Sequence, residues 1–246
     1  MIYLQPEFIT TQRDDTFWMW FNRTFESRYD LPAEIGASDS VLQYAVLGAP
    51  KTVGGRKFGL LWELYPEMRR LGLHVPVDEQ KIGRMYECQA ACNRSFVTSK
   101  FMLDFFPEAE MLPIGVDTDL FKPRGLIRQG AFWCGTDHPM KGMDAAHAWA
   151  EANKIPLTCV FKGSLPQTEL AEVMSTHEYV ILSGRLRPLY LVEWEALASG
   201  LKPIDVSGVE REFDIEEVSA DPRGYVFGVG WSREQVEEDW RRILAN

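Results

Sequence analysis

The chain has 246 residues, of which 46% are hydrophobic and 25% charged, so it can form one folded domain or two. Its net charge of −10 and isoelectric point near 5.0 exclude binding modes that need a broadly positive surface, such as nonspecific nucleic-acid binding. Four scattered cysteines and an N-terminus without a signal-like segment indicate reduced thiols in the cytoplasm. No apolar run approaches the roughly 20 residues that span a bilayer. An enzyme without such a span can still act on lipid-linked acceptors at a membrane surface.

The first half of the chain alternates strand-like and helix-like segments. Short apolar runs predict strands, and apolar residues at helical spacing behind polar starts predict helices. In chain order the expected elements are strand Ile2–Gln5, helix Thr11–Tyr29, strand Val41–Leu47, strand Phe58–Leu64, helix Glu79–Asn93, strand Ser95–Thr98 and helix Lys100–Phe106. We expect the aromatic face of the first helix to lie in the core.

A second series of strands and helices follows the segment PIGVDTDLFKPRG, whose proline and glycine content marks a domain boundary. We therefore divide the chain into residues 1–123 and 124–246. The last helix is amphipathic and could pack back on the first domain. The expected elements are strand Ala131–Cys134, helix Met143–Asn153, strand Leu157–Phe161, helix Gln167–Ser175, strand Tyr179–Leu182, helix Leu191–Ala198, strand Pro203–Val206 and helix Ser232–Ala245.

This alternation predicts an α/β protein with two Rossmann-like domains. Strands joined by helices pair in parallel and carry helices on both faces of the sheet. Ligands of such sheets bind beyond the carboxyl ends of the strands, so two facing sheets would form a cleft between the domains. We therefore expect the binding site at the strand ends.

Four segments carry the candidate chemistry: PIGVDTDLFKP, GTDHPMKGMDAA, FKGSLPQTELAEVMSTHEYVILS and EWEALASGLKPI. In this order they resemble the retaining GT-B glycosyltransferases that use nucleotide sugars, the glycogen-synthase-like or group 1 superfamily. The resemblance extends from Ser95 to about Val206. It implies two Rossmann-like domains, of which residues 1–123 would bind the acceptor and residues 124–246 the nucleotide sugar.

The resemblance also implies roles for individual residues. Lys141 and Gly142 match a Lys-Gly pair that opens a helix under the donor diphosphate, with Gly135 and Thr136 in the loop before it. Glu195 matches a carboxylate that binds the ribose.

The physical chemistry of these positions agrees with this interpretation. An ammonium and the free N–H groups of a helix start can face one anion together, although a solvated lysine beside a helix start is an equally simple alternative for Lys141. Glu195 lies in an otherwise apolar helix, where a carboxylate that approaches burial must accept hydrogen bonds, and ribose hydroxyls are suitable donors. Glu193 points roughly opposite, and we expect it to be solvated.

Three positions depart from the family pattern. Thr136 stands where the family has an arginine, five residues before the lysine, and Arg187 stands where it has a first glutamate, eight residues before Glu195. Tyr190 replaces a glycine that lets a backbone N–H approach phosphate. Arg185 and Arg187 could supply the missing guanidinium to the donor, or both could be ordinary surface residues.

Several polar residues are further candidates. His138 lies just before Lys141 and could reach the sugar or the diphosphate, although a lone histidine is more often structural. In the first domain Arg56 and Lys57 follow a glycine pair in a loop that could meet phosphate or an acidic acceptor. Glu63 lies at the end of the predicted strand Phe58–Leu64 and could be an acceptor-side group, and an exposed helix start explains it equally well. His74 is a weaker candidate.

We therefore expect a cytoplasmic glycosyltransferase that transfers a sugar from a UDP- or GDP-linked donor with retention, as the resemblance implies. Lys141, with Arg187 and His138, would be catalytic, because cations stabilise the departing diphosphate. No metal and no cofactor is expected. The acceptor could be a glycan, a lipid-linked sugar or modified DNA. Modified DNA would suit a compact enzyme encoded by a virus and acting in the host cytoplasm. The alternatives are an inactive donor-binding or scaffold protein, and an epimerase or phosphorylase on the same fold.

Overall fold

The computed structural model describes residues 1–5, 17–28, 32–73, 76–125 and 127–246. Within these ranges every helix is too short or too polar to cross a membrane. The chain divides into two compact units. The N-terminal unit comprises Met1–Pro113 together with Glu237–Asn246, and the C-terminal unit comprises Ile114–Val236.

The N-terminal unit contains a parallel sheet of five strands in the order β1-β2-β3-β4-β5. The strands are β1 (Ile2–Gln5), β2 (Ser40–Tyr44), β3 (Arg56–Leu60), β4 (Arg94–Val97) and β5 (Glu110–Met111). The middle strands are largely buried along their length, as expected for strands covered on both sides. The helices are α1 (Phe17–Phe25), α2 (Tyr65–Arg70) and α3 (Pro76–Ala91), with 3₁₀ turns over Ala45–Leu47 and Lys100–Asp104.

The C-terminal unit contains a parallel sheet of four strands in the order β7-β6-β8-β9. The strands are β6 (Ala131–Gly135), β7 (Leu157–Phe161), β8 (Tyr179–Leu182) and β9 (Lys202–Asp205). The helices are α4 (Met143–Asn153), α5 (Gln167–Ser175), α6 (Leu191–Ala198), α7 (Ile215–Ala220), α8 (Pro222–Gly228) and α9 (Arg233–Ala245), and a 3₁₀ turn spans Pro139–Lys141. Its main core lies around Phe132, Leu182, Trp194 and Leu197.

Helix α9 begins in the C-terminal unit and ends in the N-terminal unit. Ser232 caps its start, accepting a hydrogen bond from the Gln235 N–H at 3.3 Å. Near its end the fully buried Trp240 ring makes edge contacts with the Phe21, Phe58 and Phe96 rings in the N-terminal unit. The last turn is therefore part of the N-terminal core.

The division between the units lies ten residues before the boundary expected at residue 123. The segment from Ile114 onward belongs with the C-terminal unit because its backbone is bonded there. The Val116 N–H donates to the Trp231 carbonyl at 2.8 Å, and the Val116 carbonyl accepts from the Arg233 N–H at 2.9 Å. A proline- and glycine-rich composition marks a loop, and it does not tell which core holds that loop.

Most predicted elements are confirmed within about two residues at their ends. The helix expected over Thr11–Tyr29 is observed over Phe17–Phe25, and the expectation was wrong for Glu26–Arg28, which follow the helix as a turn and an isolated bridge to Tyr3. The other predicted residues, 11–16 and 29, lie outside the described ranges, as does His74. The strand expected over Val41–Leu47 ends at Tyr44 and continues as a 3₁₀ turn. The strand expected over Phe58–Leu64 is observed over Arg56–Leu60, and the helix expected over Lys100–Phe106 is a 3₁₀ turn over Lys100–Asp104. Helices α2, α7 and α8 and strand β5 were not expected, because each is too short to show periodicity.

Candidate functional site

The residues of the proposed donor site lie at the carboxyl ends of β6 and β8 and at the starts of α4 and α6. The Cys134 thiol, near the end of β6, is within electrostatic range of Glu195, Lys141 and Glu193. Burial, and next the Glu195 charge, raise the pKa of this thiol to about 12. The fold thus brings a lysine and two glutamates from distant parts of the sequence to one strand end.

The turn that carries Lys141 requires glycine at position 142. Gly142 has a positive φ of 66°, which disfavours other residues. A Cβ atom there would also lie 2.0 Å from the Ser183 carbonyl oxygen, so the turn passes directly against the end of β8. The Lys-Gly pair is therefore a close-packing feature of the turn.

Hydrogen bonds fix this turn to the neighbouring strand ends. The Trp133 indole N–H donates to the Ser183 hydroxyl oxygen at 3.0 Å, and that hydroxyl donates to the Lys141 carbonyl at 2.9 Å. The Arg185 N–H donates to the Met140 carbonyl at 2.8 Å. Gly135 leaves room for the indole, since a Cβ atom there would be 2.8 Å from the Trp133 ring. The Lys141 backbone is thus held in place from two strands.

The Lys141 side chain lies on an aromatic ring. Its Nζ is 2.9 Å from the centroid of the Tyr190 ring, a cation–π contact. The ring also passes close to Gly184, where a Cβ atom would be 2.5 Å from it. Among the described residues the buried Tyr190 hydroxyl has no hydrogen-bond partner, and burial raises its pKa. Tyr190 thus fills the space beside Lys141 that a glycine would leave open.

Glu193 corrects one expectation from the sequence, because it is buried and not solvated. Its carboxylate accepts a hydrogen bond from the Tyr190 N–H at 2.8 Å and caps the start of α6. Burial raises its pKa, and the nearby Arg211 guanidinium, the Tyr190 N–H and Lys141 partly offset this. Helix α6 is buried on all its faces from Glu193 to Ala198, so Glu193 and Glu195 are both buried although they lie on opposite sides of the helix.

Glu195 is the most unusual carboxyl group of the site. Its residue is 6% exposed, and no hydrogen bond from the described residues is among the influences on its pKa. Burial raises its pKa to about 8, with Arg233 opposing the rise and Asp117 adding to it. Arg233 is itself paired with Asp117, from Nη1 to Oδ2 at 2.7 Å. A carboxyl group in this state is suited to hydrogen-bond donors supplied by a ligand.

Arg211 is a component of the site that the sequence did not reveal. It follows β9, and its side chain is 5% exposed and paired with Asp205 at 2.7 Å. Its other N–H groups donate to carbonyls of residues 183–190, which join β8 to α6 and are called the donor loop below. Although burial disfavours the Asp205 charge, hydrogen bonds from Arg211 and Ser207 hold its pKa below the usual range.

The remaining donor-side candidates lie around this centre. Thr136 and Arg187 are half-buried, and Arg185 is exposed. His138 is exposed, and its Nδ1 accepts a hydrogen bond from the Met140 N–H at 3.2 Å, which caps the 3₁₀ turn before α4. The imidazole therefore has a structural role in the turn that presents Lys141.

The three acceptor-side candidates lie in the N-terminal unit. Arg56 and Lys57 are the first residues of β3 and not part of a loop, so they lie at the end of the strand opposite to Glu63. The Arg56 guanidinium donates to the Leu244 carbonyl at 2.7 Å, at the end of α9. Lys57 is half-buried, and its backbone N–H donates to the Asn93 side chain at 2.7 Å. The Glu63 carboxylate accepts a hydrogen bond from the Tyr44 hydroxyl, beyond the carboxyl ends of β2 and β3. Glu63 thus lies where ligands of parallel sheets bind.

Three solved glycosyltransferase structures resemble this chain in fold. The first is S. aureus TarM, a variant in complex with fondaparinux, alpha-GlcNAc-glycerol and UDP, with a TM-score of 0.59 and 12% identity. The second is AviGT4, a glycosyltransferase involved in avilamycin A biosynthesis, with a TM-score of 0.54 and 13% identity. The third is the pneumococcal O-GlcNAc transferase GtfA in complex with UDP and GlcNAc, with a TM-score of 0.51 and 9% identity.

The chain has the GT-B fold. The three matches cover 85%, 84% and 86% of this chain, and the same alignments cover 55% of TarM, 74% of AviGT4 and 57% of GtfA. The chain therefore spans little more than half the length of two of these GT-B proteins. No family model and no curated protein matches its sequence.

The site offers cationic and hydrogen-bonding groups. In the described part of the chain, no three His, Cys, Asp or Glu side chains are grouped so that they could hold a metal ion. Lys141 and the start of α4 can bind an anion, and Glu195 can bind hydroxyl groups.

Proposed function

We propose that this protein is a glycosyltransferase that binds a nucleotide sugar on its C-terminal unit and transfers the sugar with retention of anomeric configuration. The fold supports sugar transfer in general, because its structural neighbours are glycosyltransferases. The residues at the ends of β6 and β8 support a nucleotide-linked donor.

The observation that carries the proposal is the state of Glu195. A buried carboxyl group that lacks a hydrogen-bond donor is costly, and its pKa of about 8 reflects that cost. Ribose hydroxyls would supply the missing donors. The buried Glu67 carboxylate differs in this respect, because it accepts two hydrogen bonds of 2.8 Å from Arg70.

Lys141 would act on the leaving group. When the bond between sugar and diphosphate breaks, negative charge develops on the departing nucleoside diphosphate. An ammonium and the unpaired first N–H groups of α4 stabilise that charge if they are already in place. The bonds from Ser183 and Arg185 that fix the turn supply this preorganisation. The proposed mechanism therefore assigns no role to a metal.

Arg185 and Arg187 would complete the donor site. They lie on the donor loop, next to the start of α6, and one of them would replace the guanidinium absent at Thr136. We assign Arg187 to the diphosphate, because a gained cation near a phosphate site compensates for a lost one. The donor would be UDP- or GDP-linked, and a glycan, a lipid-linked sugar or modified DNA would be the acceptor, with Glu63 on its side.

A screen of nucleotide sugars tests the proposal. UDP- and GDP-linked hexoses, hexosamines and uronic acids are added singly, and thermal unfolding is followed, since a ligand of the native state raises the melting temperature. The donor that stabilises the protein is then incubated with candidate acceptors, and the anomeric configuration of the product is read by NMR. An inverted product would refute retention, and the absence of any stabilising nucleotide would refute the donor site.

A second candidate function is an inactive protein that binds the donor. The contact between the Lys141 ammonium and the Tyr190 ring favours it, because this tyrosine fills space beside the diphosphate-binding lysine. Such a protein would be stabilised by a nucleotide sugar and yet neither transfer nor hydrolyse it. Release of free nucleoside diphosphate over hours distinguishes the two functions.

A further inference from the structure

Arg211 connects the end of β9 to the donor loop. Its Nε donates to the Asp205 carboxylate at 2.7 Å, and Nη1 and Nη2 donate to the Leu186 and Gly184 carbonyls at 3.0 and 3.3 Å. A longer bond of 3.4 Å reaches the Arg187 carbonyl. One guanidinium thus joins three backbone carbonyl groups of the loop to the Asp205 carboxylate on a neighbouring strand.

Within the described residues, few backbone hydrogen bonds fix the donor loop. Among the described residues, no backbone N–H donates to the Gly184 or Leu186 carbonyl. Pro188 has no N–H to contribute. The loop is tied at its two ends, where the Arg185 N–H binds the Met140 carbonyl and the Tyr190 N–H binds Glu193. Arg211 binds the carbonyl groups of Gly184, Leu186 and Arg187.

The Asp205 end of this link is itself immobilised. Its Oδ1 accepts hydrogen bonds from the Ser207 N–H at 2.8 Å and the Ser207 hydroxyl at 2.6 Å. A guanidinium that is planar and held at one end orients whatever binds its other N–H groups. The position of the donor loop relative to β9 is therefore set by Arg211.

We propose that Arg211 is a positioning residue of the donor site, which fixes the donor loop so that Arg187 and the start of α6 meet the donor diphosphate. This inference rests on the proposed function. Arg211 itself does not touch the ligand, because its N–H groups are used by protein acceptors.

The same unit contains a matched control. The Arg223 guanidinium also binds three backbone carbonyls, those of Phe121, Ala198 and Thr118, at 2.8 to 3.0 Å. None of these carbonyls belongs to the donor loop. A variant of Arg223 therefore removes the same kind of bonding without releasing that loop.

The test compares UDP with UMP, which differ by the outer phosphate, in calorimetric titrations of wild type, Arg211→Met, Arg211→Lys and Arg223→Met. If the wild type prefers guanine, GDP and GMP replace them. Loss of a charge-assisted contact to phosphate weakens binding roughly 10-fold or more, so we expect Arg211→Met to reduce the UDP to UMP affinity ratio about 10-fold.

Arg211→Lys keeps a cation beside Asp205 and cannot bridge three carbonyls. We therefore expect it to have a higher melting temperature than Arg211→Met and the same reduced UDP to UMP affinity ratio. If Arg211→Met does not fold, the affinity ratio of Arg211→Lys is compared with that of wild type instead. Arg223→Met should lower the melting temperature and leave the ratio unchanged. A wild-type ratio in the folded Arg211 variants, with only stability reduced, would overturn the positioning role. A wild type that binds no nucleotide would overturn this role together with the proposed function.

Discussion

The replacement of Glu195 by glutamine isolates the electrostatic state of the proposed ribose site. In the wild type the folded chain keeps this carboxyl protonated up to a pKa of about 8, whereas the unfolded chain ionises near 4.5. Between these values the folded state binds more protons, so its stability falls as the pH rises. Below pH 4.5 the group does not reduce the free energy of unfolding, and above pH 8 the full cost of the buried charge is present.

The magnitude follows from the two pKa values. A rise from 4.5 to about 8, at about 1.4 kcal/mol for each tenfold change in proton affinity, gives an upper limit of roughly 5 kcal/mol. Glutamine has a similar shape and no charge, so Glu195→Gln should gain stability over wild type as the pH rises from 5 to 8.5. Calorimetric melting temperatures should differ by up to about 10 °C more at the higher pH.

The same substitution changes nucleotide binding in a defined direction. Ribose hydroxyls donate to the ionised carboxylate, so UDP or GDP binding should lower this pKa, and wild-type affinity should rise with pH between about 6 and 8. The nucleotide's own phosphate titrates equally in both proteins. Glu195→Gln should lose this rise and about 1–3 kcal/mol of binding, and it should no longer discriminate against a donor that lacks the ribose hydroxyl. Parallel pH profiles of stability and affinity in the two proteins would refute the reasoning.

Two further substitutions test neighbouring parts of the account. Arg187→Ala should weaken the binding of a free nucleoside diphosphate and of its nucleotide sugar alike. Weaker binding of the nucleotide sugar alone would assign Arg187 to the sugar, and unchanged affinity for both ligands would leave it a surface residue. Gly142→Ala places a Cβ atom 2.0 Å from the Ser183 carbonyl at a φ of 66°, so it should lower the free energy of unfolding by at least about 1–3 kcal/mol. A chemical denaturation midpoint equal to that of wild type would contradict the close packing of that turn.

The sequence predicted the C-terminal sheet closely because each element there is long enough to show its periodicity. Helices α4, α5 and α6 and strands β7 and β8 begin and end where the pattern placed them. The resemblance also pointed to Lys141, Gly142 and Glu195 together, and the fold brings this lysine and this glutamate to one strand end. The structure leaves their catalytic roles as predictions.

Other features could not be predicted, for physical reasons. Glu193 was expected to be solvated because it lies opposite Glu195 on the helix, but α6 is buried all round. Its neighbours in LVEWEALA are apolar on every face, and that was the available signal. Arg211 binds backbone carbonyls, which every residue has, so no residue pattern marks its partners.

A titration of Lys141→Ala tests the central claim most directly. The nucleoside diphosphate that best stabilises the wild type is titrated calorimetrically into wild type, Lys141→Ala and Lys122→Ala, the last being an exposed lysine outside the site. Loss of a charge-assisted contact to phosphate should cost about 1.5–3 kcal/mol, roughly 10- to 150-fold in affinity. We predict this loss for Lys141→Ala alone, with little change in melting temperature for either variant. Equal affinities in all three proteins would contradict a donor site at Lys141.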